Sequence, residues 1–335
     1  MRTTLLIALL GLATGAAAAP LPRAADGHPD LTGNWTNASV TLLTRSTAEK
    51  RLVVSEAEAK AMAAGRNNAF DADNRPTDPA KGAPPVGNPG GYNTFWLDAG
   101  RSLGLVKGEY RTSWLVDPAD GQLPLSETGK KRVQEARAFS VRADTPDNPE
   151  SLEPWDRCII SSRGSGGPGM LNNIYNSNYQ IVQTPGSVAI MVEMVHDVRT
   201  IPVFATKAAA QAGHGPAALQ PWLGDSTGWW EGDVLVVETL NVNREQGRAG
   251  PLFLTPQGRV TERFQRVSPA QILYSFEVED PTYYTRPWRA EMSLNGKPDR
   301  LFEYACHEGN YAMSNILRGV RVKEKAAAGQ SGTQR

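Results

Sequence analysis

Between Tyr179 and Tyr311 the chain runs through short segments of alternating apolar and polar residues, repeatedly closed by tight turns. They read YQIVQT, SVAIMVEMVHD, GWWEGDVLVVET, GRVTERFQRV, QILYSFEVEDP, WRAEMSLNG and LFEYACHEGNY. A period of two puts every second side chain on the same face of a strand, so each segment has one face to bury. The expectation is an all-β fold, an antiparallel meander curling into a β-barrel with a few peripheral helices. Acidic and histidine residues sit at the segment ends, where a barrel is open.

Bulk properties narrow the function classes. Formal net charge is zero, from 35 Lys and Arg against 35 Asp and Glu, and the cations are scattered rather than clustered. Neutralising phosphates needs a basic stripe, so nucleic acid is not an expected partner. Residues 1–19 read as a signal peptide: Arg2 as the positive end, 4–12 as the apolar run, and Ala17, Ala18 and Ala19 as the small-residue cleavage zone. The run is too short to span a bilayer and no longer one follows, so a soluble periplasmic or secreted protein is expected. In such a compartment the two cysteines, Cys158 and Cys306, are expected to pair. Closing that loop contributes about 4–5 kcal/mol in the chain-entropy model. The competing reading is a reactive Cys306 thiol beside His307.

Residues 20–30 form a Pro- and Ala-rich leader, 31–322 one barrel domain with N-terminal embellishments, and 323–335 a disordered tail. Within the domain a first strand is expected near 30–36. Residues 55–65 (SEAEAKAMAAG) read as a helix, with Ser55 as cap, Glu58 in the capping-box position and Gly65 as stop. Residues 66–93 are Asn-, Asp-, Pro- and Gly-rich and read as a loop or flap. Further strands are expected at 94–98, 102–107 and 113–116, a helix capped by Ser126 at 126–139, and a closing helix at 312–318.

Two resemblances come from specific strings. Gly33-x-Trp35 resembles the opening of the first strand in lipocalins and related calycins, where the Trp plugs the closed end of the barrel; this implies a lipocalin-like fold. WLGDSTGWWEGDVLVVET, EVEDPTYYTRPW and FEYACHEGNY together resemble an abundant family of exported bacterial proteins, over most of the mature chain. That resemblance implies a shared fold and export and assigns no activity.

Of the four histidines, His28 lies in the leader and His214 in a Gly/Ala/Pro loop read as solvent-facing. His196 and His307 each end a predicted strand beside an acid, Asp197 and Glu308. A histidine oriented by a carboxylate can move protons at neutral pH. Both are candidates, with Glu193 and Glu303 as orienting carboxylates. Strand alternation puts Glu193, Asp197 and Arg199 on one face, opposite His196, and a carboxylate within MVEMV needs a partner or a polar cavity. Tyr283 and Trp288 offer flat walls, and Arg286 or Arg199 a grip on an anion, while Asp225 and Asn310 join as polar contacts. Gly224-Asp225-Ser226-Thr227-Gly228 matches a nucleophile elbow, with Asp280 and His307 following in order, but no helix pattern follows Ser226. Residues 161–169 (SSRGSGGPG) lack the Lys-Ser/Thr of a phosphate loop and read as a flexible lid. No metal-ligand spacing occurs, so neither metal nor cofactor is expected.

The leading expectation is an exported enzyme doing His/carboxylate acid–base chemistry, as a lyase, isomerase or hydrolase, on a small, partly aromatic compound in a barrel pocket. A non-catalytic carrier of hydrophobic or aromatic ligands, a serine hydrolase using Ser226, and an envelope-associated structural protein are the alternatives.

Overall fold

A computed structural model describes residues 20–73, 75, 80, 82, 97–142, 146–161, 164–247 and 250–332. The expected signal peptide at 1–19, the expected strand residues 94–96 and most of the loop at 66–93 lie outside the described residues.

In chain order the strands are β1 (Gly33–Thr36), β2 (Val53–Val54), β3 (Leu105–Val106), β4 (Glu109–Arg111), β5 (Leu115–Asp117), β6 (Asn178–Thr184), β7 (Ser187–Val192) and β8 (Val198–Phe204). They continue with β9 (Asp225–Glu231), β10 (Val234–Leu240), β11 (Arg259–Ser268), β12 (Gln271–Glu279) and β13 (Trp288–Gly296). The α-helices are α1 (Glu56–Asp73), α2 (Glu127–Arg142), α3 (Lys207–Ala212) and α4 (Tyr311–Gly332).

A ten-stranded sheet runs β1-β6-β7-β8-β9-β10-β11-β12-β13-β5 and closes through a β1–β13 pairing that sets Trp35 against Gly296. All its strands but β5 form the ring. β5 lies against the other end of β13, beside Arg289 and Ala290. Closure removes the unpaired edges that an open sheet would expose. The six segments read from the sequence up to WRAEMSLNG all contribute to the ring, but SVAIMVEMVHD is cut short at Val192, and a strand not recognised in the sequence, β8, follows the turn. One pairing in the ring is not antiparallel. β8 and β9 are parallel, with Val203 opposite Gly228, so the chain crosses over through α3 and residues 213–224.

Alternation decides which side chains enter the barrel. Ile272, Tyr274, Phe276 and Val278 of β12 and Trp288, Ala290, Met292 and Leu294 of β13 share one buried core with Tyr179, Ile181, Phe264 and Leu235. On the outer face Ala210 of α3 packs on Trp229 and Val236. Trp35 is buried at the seam, its Nε1 donating to the Leu31 carbonyl at 3.0 Å and Arg266 lying over its ring. The Cys158–Cys306 disulfide is formed, with Cα atoms 5.7 Å apart.

The helix starts follow the sequence. The Glu58 carboxylate accepts the Ser55 backbone N–H at 2.8 Å, and Ser126 Oγ accepts the Gly129 N–H at 3.0 Å. Gly65 does not stop α1, which continues to Asp73. α4 likewise extends through part of the expected tail, to Gly332. The strand expected at 301–311 is not formed: residues 301–310 are extended coil and turn outside the ring. The edge of β13 is already taken, by β1 at Asn295 and Gly296 and by β5 at Arg289 and Ala290. Among the described residues no helix is long and apolar enough to cross a membrane.

Candidate functional site

The first group of candidates meets at one end of β7. Between β7 and β8 the chain makes a tight 3-10 turn in which Val195 (φ 59°) and His196 (φ 50°) are both left-handed. For a β-branched residue this is a strained conformation, and strain of this kind gathers at functional sites. The turn also breaks the strand alternation on which the shared face of Glu193, Asp197 and Arg199 was expected. The three carboxylate and guanidinium groups go to different places.

Glu193 is buried and fully engaged. It accepts from Asn176 Nδ2 at 2.7 Å, Asn178 Nδ2 at 3.1 Å and the Phe302 backbone N–H at 3.0 Å. It thus anchors the 301–310 segment to the barrel rather than orienting a histidine. His196 is exposed, with Nδ1 3.1 Å from the Tyr304 carbonyl of the same segment. Glu303 and His307 are exposed on that segment. Asn310 is structural: its Nδ2 donates to the Asp156 carbonyl at 3.0 Å and its Oδ1 receives the Met313 N–H at 3.3 Å, at the start of α4. Asp156 nearby is pushed up to about 6, by burial first and then by the charge of Glu153.

Arg199 points into the barrel. Its guanidinium makes paired hydrogen bonds to Glu262, at 2.5 and 2.9 Å, and Tyr274 donates to the same carboxylate at 2.6 Å. Arg and Glu are both essentially inaccessible, so the charge is already neutralised and is not free to grip an outside anion. Above them sits the glycine-rich segment expected to be a lid. Residues 164–171 are buried instead, plugging the interior. Gln246 Nε2 donates to the Gly167 carbonyl at 2.7 Å, and a Cβ on Gly167 would lie 2.9 Å from the Arg199 Cζ. Only a residue without a side chain allows that approach.

Outside the plug lies a groove of about 290 Å³. Three stretches of chain line it: Ile159 and Ile160, residues 197–200 at the start of β8, and Pro221, Trp222, Leu223 and Gly224 of the crossover. Asp197 Oδ2 accepts the Ser161 backbone N–H at 2.6 Å. Burial raises its carboxyl above the ordinary Asp range, outweighing the opposing effects of the Ser161 hydrogen bond and of the nearby His196 charge. A carboxyl whose hold on a proton is strengthened by burial, in a groove that aromatic and aliphatic residues also line, is the chemistry this site offers.

Several candidates lie elsewhere. Asp280 is buried in a turn, accepting the Thr255 N–H at 2.5 Å and the Thr282 N–H at 3.0 Å. Trp288 is core, edge-on to Phe276 and Tyr284, and Tyr283 packs against Phe253. Arg286 is on the surface, bonded to Asp117 at 3.0 Å. Ser226 is buried and 2.8 Å from Thr239 Oγ1, so the elbow reading has no reachable nucleophile. Asp225 does not face the groove but holds His214, whose ring is buried rather than solvent-facing. Neighbouring residues in sequence carry little sign of this, because the partners of His214 come from β9 and β10. Asp197 stood beside His196 in the sequence, yet only the turn at 193–197 reveals that the acid, not the imidazole, enters a hollow. Among the described residues no cluster of three or more His, Cys, Asp or Glu is placed to hold a metal ion.

No protein-family model matches the chain, and neither a curated protein nor a solved structure does.

Proposed function

We propose that this is an exported protein of the family its three strings resemble, and that it performs proton-transfer chemistry on a small, partly aromatic molecule held in the groove. One observation carries the reading: Asp197, a carboxyl raised by burial, lines the same groove as Trp222, Ile159 and Ile160. Trp222 would stack the ring of the substrate, Asp197 would give or take the proton, and His196 at the lip would exchange it with solvent. The carrier alternative is less well supported, since Tyr179, Tyr274, Phe276 and Trp288 and the plug occupy the barrel interior. The lipocalin-type reading draws support from Trp35 at the barrel seam beneath Arg266.

The test is a thermal-shift and turnover screen of small aromatic acids, phenols and esters against the wild type, Trp222→Ala and Asp197→Asn. Compounds that stabilise the wild type are expected to bind Trp222→Ala roughly tenfold more weakly, about 1.4 kcal/mol. Asp197→Asn is expected to keep binding and lose conversion by roughly 10²–10⁴-fold, the usual contribution of a general acid or base. Aromatic compounds that bind all three proteins alike, or conversion that survives in Asp197→Asn, would refute the assignment.

A further inference from the structure

The outer wall of the groove belongs to the crossover between α3 and β9, and most of that crossover is exposed, from 211 to 221. One of its side chains is buried: His214. Its Nδ1 is 3.1 Å from Asp225 Oδ2, and the same oxygen accepts the Gly215 backbone N–H at 2.6 Å. Its Nε2 lies 3.1 Å from Thr227 Oγ1 and 3.4 Å from Glu238 Oε1. At the far end the segment is held by the Asn243 N–H on the Pro221 carbonyl, at 3.1 Å. The imidazole is therefore a buried side-chain link between this wall and the barrel, beside the Asn243 Nδ2 bond to the Gln220 carbonyl at 3.4 Å.

The charge state of the ring decides how well the link holds. Doubly protonated, it donates from Nδ1 to Asp225 and from Nε2 to Glu238, and both bonds are charge-assisted. Neutral, it keeps one N–H, and the bare nitrogen turns a lone pair toward a carboxylate unless the Thr227 hydroxyl rotates to donate to it. The charged and titratable groups around the ring are Asp225 on β9, Glu238 on β10 and, through Glu238, Arg259 on β11 at 3.8 Å from Oε2. Gln211 of α3 also donates to Glu238, at 3.3 Å. With both carboxylates ionised, the cluster carries one more acid than Arg259 neutralises, and a protonated ring balances it.

We infer that the Asp225–His214–Glu238 bridge is a proton-dependent latch that fixes the groove wall carrying Trp222 and opens it as the imidazole loses its charge. The inference rests on the groove as the binding site for its consequence, namely weaker ligand binding once the ring is neutral. The latch itself is a property of the protein without ligand.

Hydrogen exchange read by mass spectrometry tests it on the full chain without ligand, with rates corrected for the intrinsic pH dependence of exchange. The protonation of His214 is followed in parallel by its ring Cε1 proton resonance. In the wild type, amides of 213–224 are expected to exchange roughly tenfold faster once the ring is neutral, a local opening. In His214→Gln they are expected to be fast and independent of pH, while amides of β11 and β12 stay protected in both proteins and report an intact barrel. Protection of 213–224 that is flat through the titration of the ring, or a His214→Gln protein that behaves like the wild type, overturns the latch. Asp197→Asn leaves the latch intact, so failure of the catalytic assignment and failure of the latch give different results.

Discussion

Asp197 and Arg199 are two residues apart and meet opposite fates. Asp197 keeps one oxygen on the Ser161 amide and lines the groove, whereas Arg199 is matched inside by Glu262 and Tyr274. A raised carboxyl pKa is a stability statement. The folded protein holds the Asp197 proton more tightly than the unfolded chain, so the protonated form favours folding. The contribution is fully present below the ordinary Asp range, near about 4, and is lost as pH rises through the folded value. The difference in unfolding free energy between the wild type and Asp197→Asn is therefore expected to shift against the wild type as pH climbs out of that range. Denaturant titrations at a series of pH values check this. A difference that does not change with pH would place the carboxyl in ordinary solvent.

At the scale of elements, the glycine-rich 164–171 segment is the part whose role is hardest to infer from its residues. Its composition suits a flexible loop, yet what it does is fill the barrel, and its glycines are there for room. Gly167 has φ 88° and lies against the Arg199 guanidinium, so Gly167→Ala is expected to destabilise by about 2–4 kcal/mol through backbone strain and displacement of the buried pair. Gly65, inside α1 with open space around its Cβ position, is the control: Gly65→Ala is expected to stabilise by up to about 1 kcal/mol. Urea unfolding of both variants gives the comparison. Two alanine variants with equal effects would mean that the plug is not tightly seated. The capping box of α1 and the alternation in β11, β12 and β13 were legible because each depends on neighbours in the chain. The strand expected at 301–311 has the same alternation and fails, because pairing depends on a free edge and β1 and β5 already occupy the edge of β13.

For the whole molecule, the disulfide and Glu193 act on the same segment. Cys306 is tied to Cys158, and the Phe302 amide to Glu193, so residues 301–310 are strapped across one end of the barrel. The bridge spans 148 residues, a loop that includes β6 through β13. Its loss should therefore lower the global stability rather than release only the strap. The expected loss on converting both cysteines to serine is about 4–5 kcal/mol, read from the urea midpoint and slope. A wild-type midpoint that does not move on reduction would show that the unfolded chain gains no freedom from breaking the link.

By itself, the sequence determined the all-β barrel class and the helix starts at Ser55 and Ser126, and it favoured a disulfide over a reactive thiol for its two cysteines. Each of these follows from local periodicity, from composition, or from residues within one helical turn. Only the tertiary structure decided that His196 and His307 lie exposed at the rim, that Arg199 is spent on Glu262, and that Asp197 and Trp222 share a groove. It also decided that His214 is buried between Asp225 and Glu238. The physical reason is that burial and charge pairing are set by what the crossover between β8 and β9 and the plug bring alongside, and those neighbours are far apart along the chain.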